Sequence, residues 1–109
     1  MFQFFKKPNI KSIDINELDV LIGKVELIDI RESSEVAEGS IETAKHIPMG
    51  DLLETPSKYL TQDKTYYIFC RSGMRSAKTA EKLTEAGYDI INLKGGITGY
   101  RGKHHSKRI

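Results

Sequence analysis

The sequence predicts an α/β fold, a parallel sheet flanked on both faces by helices. Strand-like apolar segments alternate with helical ones along the chain, the pattern that crossover connections impose on a parallel sheet. The clearest strand, Tyr66-Tyr67-Ile68-Phe69, is followed after only a few residues by the clearest helix. The chain has 109 residues, about 0.7 of a typical domain length, and no internal repeat or low-complexity linker. One domain is therefore expected over residues 1–109. Its core runs from about 11 to 101, with an apolar and basic extension before it and a basic tail, residues 102–109, after it.

Each element follows from local signals. Lys11-Ser12-Ile13 suits a short strand, and Asp14-Ile15-Asn16-Glu17 has the spacing of a capping box that opens a short helix through Leu21. Val25 to Ile30 reads as a mostly buried strand. Ser33 or Ser34 is placed to cap a short helix ending at Gly39, and Ala44 to Ile47 forms a small strand stopped by Pro48. Helix is expected around Asp51 to Leu53, broken or kinked at Pro56, with a further turn reaching Leu60. Met74, Ala77, Ala80 and Leu83 recur at threes and mark the buried face of the main helix, which Gly87 ends as its C′ residue. Asp89 to Leu93 is a further strand, and Gly95-Gly96 turns the chain into a last helical stretch near Tyr100.

Composition removes several functional classes. The chain is 39% hydrophobic and 29% charged, ordinary for a folded domain, and no apolar run approaches the ~20 residues of a membrane span. Net charge is +2, but the tail supplies Lys103, Lys107 and Arg108 and no acid. Without these three the balance is 14 basic against 15 acidic residues, so the body lacks the basic excess of a nucleic-acid binder. The tail is expected to be solvated and partly frayed, with His104 and His105 exposed. Met1 to Phe5 is too short for the apolar region of a signal peptide, and its lysines follow the phenylalanines. Those aromatics are expected to pack on the domain or on a partner, and the protein is expected in the cytoplasm. Cys70 is the single cysteine. This excludes an internal disulfide, a cysteine-based zinc site and a two-cysteine redox centre, and no metal or other cofactor is expected.

That one thiol stands where a parallel sheet collects ligands, at the carboxyl end of the best strand and before the best helix. The segment is Cys70-Arg71-Ser72-Gly73-Met74-Arg75-Ser76. A short loop entering a helix presents unpaired N–H groups to whatever occupies its centre, and the helix dipole favours negative charge there. Gly73 permits a backbone turn that a side chain would obstruct. Ser72 and Ser76 offer hydroxyls, while Arg71 and Arg75 bring positive charge within reach of the sulfur or of an anionic substrate. The dipole alone supplies roughly 0.3–1 kcal/mol, so the amides and arginines must provide most of the stabilisation of a thiolate. No histidine need act as base. The bland alternative is an inert, buried thiol. The clustering of a glycine, two hydroxyls and two arginines within the next six positions argues against it.

At these residues the chain resembles the rhodanese family. Asp29-Ile30-Arg31-Glu32 is similar to the family's Asp-x-Arg signature, and Gly39-Ser40-Ile41 with His46-Ile47-Pro48 to its Gly-His-Ile and Ile-Pro elements. The Cys70 to Ser76 loop and Gly95-Gly96-Ile97 complete the order, so the likeness spans roughly Ile13 to Tyr100. Ser40 replaces a usual histidine, and Tyr100 stands where tryptophan is common. The resemblance implies a five-stranded parallel sheet and a sulfurtransferase. Cys70 would take a sulfane sulfur from a small anion such as thiosulfate and pass it, through a persulfide, to cyanide or a thiol acceptor, including a protein thiol. Asp29 and Arg31 would be supporting or pocket-edge residues.

The alternatives are a sulfur carrier or partner-binding module with little free turnover, and a cysteine phosphatase or arsenate reductase. Four residues separate Cys70 from Arg75, against five in the usual phosphatase loop. The shorter loop encloses a smaller volume, suited to a single sulfur atom more than to a tetrahedral oxyanion.

Overall fold

The computed structural model describes residues 10–107. Five strands form one parallel sheet: β1 (Lys11–Asp14), β2 (Glu26–Asp29), β4 (Lys45–His46), β5 (Thr65–Phe69) and β6 (Asp89–Lys94), in the order β1-β6-β5-β2-β4. β3 (Ser40–Ile41) stands apart and pairs antiparallel with β7 (His105–Ser106). The helices are α1 (Ser33–Val36), α2 (Met49–Glu54), α3 (Pro56–Tyr59), α4 (Met74–Glu85) and α5 (Gly96–Gly99), and a 3-10 helix covers Ile15–Val20.

The period-two alternation of the central strands builds two cores. Ile28 and Ile30, Tyr66 and Ile68, and Ile90 face α2, α3 and α4, where they meet Leu52, Leu60, Ala80 and Leu83. Leu27, Phe69 and Leu93 face the other way, onto Ile15 and Leu18 of the 3-10 helix and onto Tyr100. Cys70 continues the alternation of β5 and falls in the α4 layer, directly beneath the helix that follows it.

Local chemistry fixes the ends of the elements. The Asp14–Glu17 capping box is present, and it opens a 3-10 helix. Gly87, at φ +98°, ends α4 as expected. The Tyr88 N–H reaches the Leu83 carbonyl and the Gly87 N–H the Thr84 carbonyl, a Schellman closure.

Three expectations change. The buried face of α4 consists of Ser76, Thr79, Ala80 and Leu83, while Met74 is 78% exposed. The residue before α1 is Glu32, so neither Ser33 nor Ser34 caps it, and the Glu35 side chain accepts the Glu32 N–H at 3.0 Å. The described part of the tail is held against the domain. Besides the β3–β7 pairing, the Glu42 N–H donates to the His104 carbonyl (2.7 Å), and the His105 ring packs on Tyr100 with centroids 4.7 Å apart. The N-terminal aromatics and Arg108 lie outside the described residues.

Candidate active site

The loop between β5 and α4 closes around the Cys70 sulfur. The side chain is 1% exposed, and the loop amides point at it: Gly73 N–H at 3.1 Å and Ser76 N–H at 3.3 Å. Ser76 is the third residue of α4, so the sulfur does for this helix what a capping side chain usually does. The thiol donates to Ser76 Oγ at 3.4 Å, and that hydroxyl donates to the Gly73 carbonyl at 3.2 Å. Two main-chain donors on one sulfur stabilise negative charge there, as does the amino end of a twelve-residue helix.

Glycines give the loop its shape. Gly73 lies at φ +105°, and a Cβ there would sit 3.3 Å from the Gly95 nitrogen. Gly96, at φ +61°, lies against the loop from the other side, where a Cβ would run into the carbonyls of Arg71 and Cys70. The close approach lets the first amides of α5 hold those same carbonyls: Ile97 N–H to Cys70 O and Thr98 N–H to Arg71 O, both 3.0 Å. Gly96→Ala is therefore expected to destabilise the protein by about 2–4 kcal/mol, from left-handed strain plus overpacking. A lowered urea midpoint with reduced sulfur transfer is the expected pair of measurements.

The two arginines differ. Arg71 is exposed and makes no ion pair among the described residues. Arg75 is engaged by Glu35 of α1 through two parallel bonds of 2.9 and 2.8 Å. Its charge is thus largely matched within the protein. Sequence inspection did not single out Glu35; its one local signal was the Glu32-x-x-Glu35 capping spacing.

The Arg75 hydrogen bonds hold the Glu35 carboxyl at about 2, below its ordinary 4.5, against the opposing effect of burial. A carboxyl depressed on folding adds stability that is complete above the ordinary value. That stability is lost as pH falls from 4.5 toward 2. For a partly exposed pair, screening leaves about 1 kcal/mol. Glu35→Gln should lower the urea midpoint at neutral pH and cost progressively less as the solution is acidified toward the folded value. A pH-independent cost would contradict this coupling.

Asp29 and Arg31 meet at the end of β2. Arg31 gives Nη2 to Asp29 Oδ2 at 2.8 Å and Nε to both carboxylate oxygens at 3.0 and 3.2 Å, and the pair is buried. Ser40 Oγ donates to the same carboxylate at 2.7 Å, and Arg31 Nη2 reaches the Gly39 carbonyl at 2.6 Å. Beside this pair opens a cleft of about 430 Å³, lined among others by Arg31, Glu35, Arg71 and Thr98. Ser72 and Met74 are exposed at the loop surface. Among the described residues no cluster of His, Cys, Asp or Glu could hold a metal ion, and no helix is long and apolar enough to cross a membrane.

Fold and loop together define a class of protein: a parallel α/β domain that presents a cysteine, ringed by main-chain donors, at the carboxyl ends of its strands. The chain belongs to the rhodanese-like domain family, whose model matches residues 14–103. It is similar to "Putative sulfurtransferase YtwF" of Bacillus subtilis, 46% identical over 81 residues, covering 74% of this chain and 78% of that protein. A sulfurtransferase of Allochromatium vinosum is 34% identical over 95 residues, covering 84% and 88% respectively. Among solved structures, a rhodanese-like domain protein from Staphylococcus aureus superposes with a TM-score of 0.80 at 33% identity. That match covers 92% of this chain and all of the other.

Proposed function

We propose that the protein is a sulfurtransferase whose Cys70 carries the sulfur as a persulfide. The supporting observation is the pair of N–H groups, from Gly73 and Ser76, directed at the Cys70 sulfur from 3.1 and 3.3 Å. With thiosulfate as donor, the Cys70 thiolate attacks the outer sulfur, the S–S bond of thiosulfate breaks, and sulfite leaves with the bonding pair. Cys70 then bears a second sulfur. Cyanide or a thiolate attacks that sulfur, takes it, and returns the Cys70 thiolate. Charge is conserved in both displacements, and no outside oxidant is needed.

The loop supplies the electrostatics. The amides of Met74 and Arg75, at the start of α4, have no hydrogen-bond partner among the described residues and can receive the outer sulfur. Arg71 attracts the anionic donor, and Gly73 and Ser76 hold the inner sulfur. Ser72 lies on the exposed surface of the loop. Asp29 and Arg31 support the wall beside it. A lone thiol kept reduced suits a cytoplasmic setting.

The test is release of thiocyanate from thiosulfate and cyanide. Steady turnover that disappears in Cys70→Ser supports a free-standing enzyme. Persulfide that accumulates on Cys70 with almost no turnover identifies a sulfur carrier served by a partner. Steady hydrolysis of an aryl phosphate, lost in the same variant, would overturn sulfur transfer in favour of phosphatase chemistry.

A further inference from the structure

The Cys70 loop carries two arginines, and the domain pairs one of them. Arg71 has no ion-pair partner among the described residues. Arg75, the second residue of α4, gives Nη1 to Glu35 Oε1 at 2.9 Å and Nη2 to Glu35 Oε2 at 2.8 Å. This fork uses the same kind of parallel N–H pair that an arginine offers to a phosphate or a sulfate. Glu35 therefore occupies the edge of the guanidinium for which an oxyanion would compete.

The carboxylate is held in place independently of Arg75. Glu35 Oε1 also accepts the Glu32 N–H at 3.0 Å, and Arg31 Nη1 reaches the Glu35 carbonyl at 3.4 Å. α1 is thus tied to the buried Asp29–Arg31 pair, so Glu35 loses little freedom in meeting Arg75. Arg75 also stands within electrostatic reach of the sulfur. The Glu35 hydrogen bonds raise its pKa against the opposing effect of burial, and the Cys70 charge adds to the rise.

The pairing bears on what the loop retains. Thiosulfate gives up its outer sulfur and leaves sulfite, an oxyanion that must depart before an acceptor reaches Cys70. A second free guanidinium beside the amides of α4 would hold sulfite there, along with phosphate and sulfate from solution. Loop length limits what fits around the sulfur; charge decides what gathers at its mouth. We infer that Glu35 is a specificity-determining residue that withholds Arg75 from the Cys70 loop, so that doubly charged oxyanions are held weakly. The inference rests on sulfur transfer through Cys70 and states what that site is kept from retaining.

Inorganic phosphate is the probe. Its dissociation constant is read from loop amide NMR shifts in the wild type, in Glu35→Gln, and in Glu35→Gln combined with Arg75→Gln. No turnover is involved. Glu35→Gln leaves the Arg75 charge unmatched and is expected to bind phosphate about fivefold more tightly, as for one partly exposed ion pair gained. The double variant lacks both charges and should return to within about twofold of the wild type. Tighter binding by a less stable protein is not what a merely structural glutamate would give. A gain below about twofold in Glu35→Gln, or one that persists without Arg75, would overturn the role. Should Glu35→Gln fail to fold, the double variant still decides: a phosphate affinity unlike that of the wild type would overturn it. Sulfur transfer is checked separately on the same wild-type preparation. Thiosulfate that leaves no sulfur on Cys70 would remove the reading on which the inference rests.

Discussion

Cys70→Ser is expected to lower sulfur transfer by about a thousandfold or more while leaving the fold in place. The activity falls because a serine hydroxyl is scarcely ionised near neutrality and cannot become a persulfide, so both displacements lose their common intermediate. The fold survives because the position asks mainly for an acceptor. A serine oxygen can still take the Gly73 and Ser76 N–H bonds that now end on sulfur. Thiocyanate release and urea denaturation of the same preparation separate the two effects. Transfer within about tenfold of the wild type would mean that another group carries the sulfur. A collapse of stability would mean that the sulfur is chiefly a packing element.

Asp29→Ala is expected to cost about 3–5 kcal/mol of stability, the range for stranding one half of a buried ion pair. Asp29 is fully buried and accepts from the Arg31 side chain, the Arg31 N–H and Ser40 Oγ. Its removal leaves the buried Arg31 side chain without its ion-pair partner. Attraction between the two charges is not what makes the effect large, since an intact buried pair gains little over apolar residues of similar volume. Asp29→Leu combined with Arg31→Met should therefore recover much of the loss. Urea midpoints of the single and double variants provide the check. A double variant no more stable than Asp29→Ala would show that the carboxylate matters through the Arg31 N–H and Ser40 instead.

How much of this was legible in the sequence depended on the range of each interaction. The Asp14–Glu17 box, the Gly87 terminus and the strand Tyr66 to Phe69 are set by neighbours within a few residues, and they appear where local patterns place them. The face of α4 departs from the threefold pattern for a geometric reason. Counting in threes from Leu83 back to Met74 drifts about 60° per step, which carries Met74 to the opposite side of the helix. The buried set, Ser76, Thr79, Ala80 and Leu83, mixes steps of three and one and stays on one face.

Long-range features left no local trace. β7 exists because Ser106 meets Ser40, and Arg75 is held by a glutamate forty residues away. A two-residue strand with histidines and lysines around it reads as tail until its partner is known. At the candidate site, residue types announced the loop, whereas the clasp on Arg75 and the amides of α5 behind Cys70 required coordinates.

The most direct measurement is the intact mass of the protein after incubation with thiosulfate, compared with Cys70→Ser. A gain of one sulfur atom in the wild type, released by a thiol reductant, mapped to Cys70 and absent from the variant, is the expected result. An unchanged mass across thiosulfate and persulfide donors, or the same gain in the variant, would contradict a sulfur-carrying Cys70.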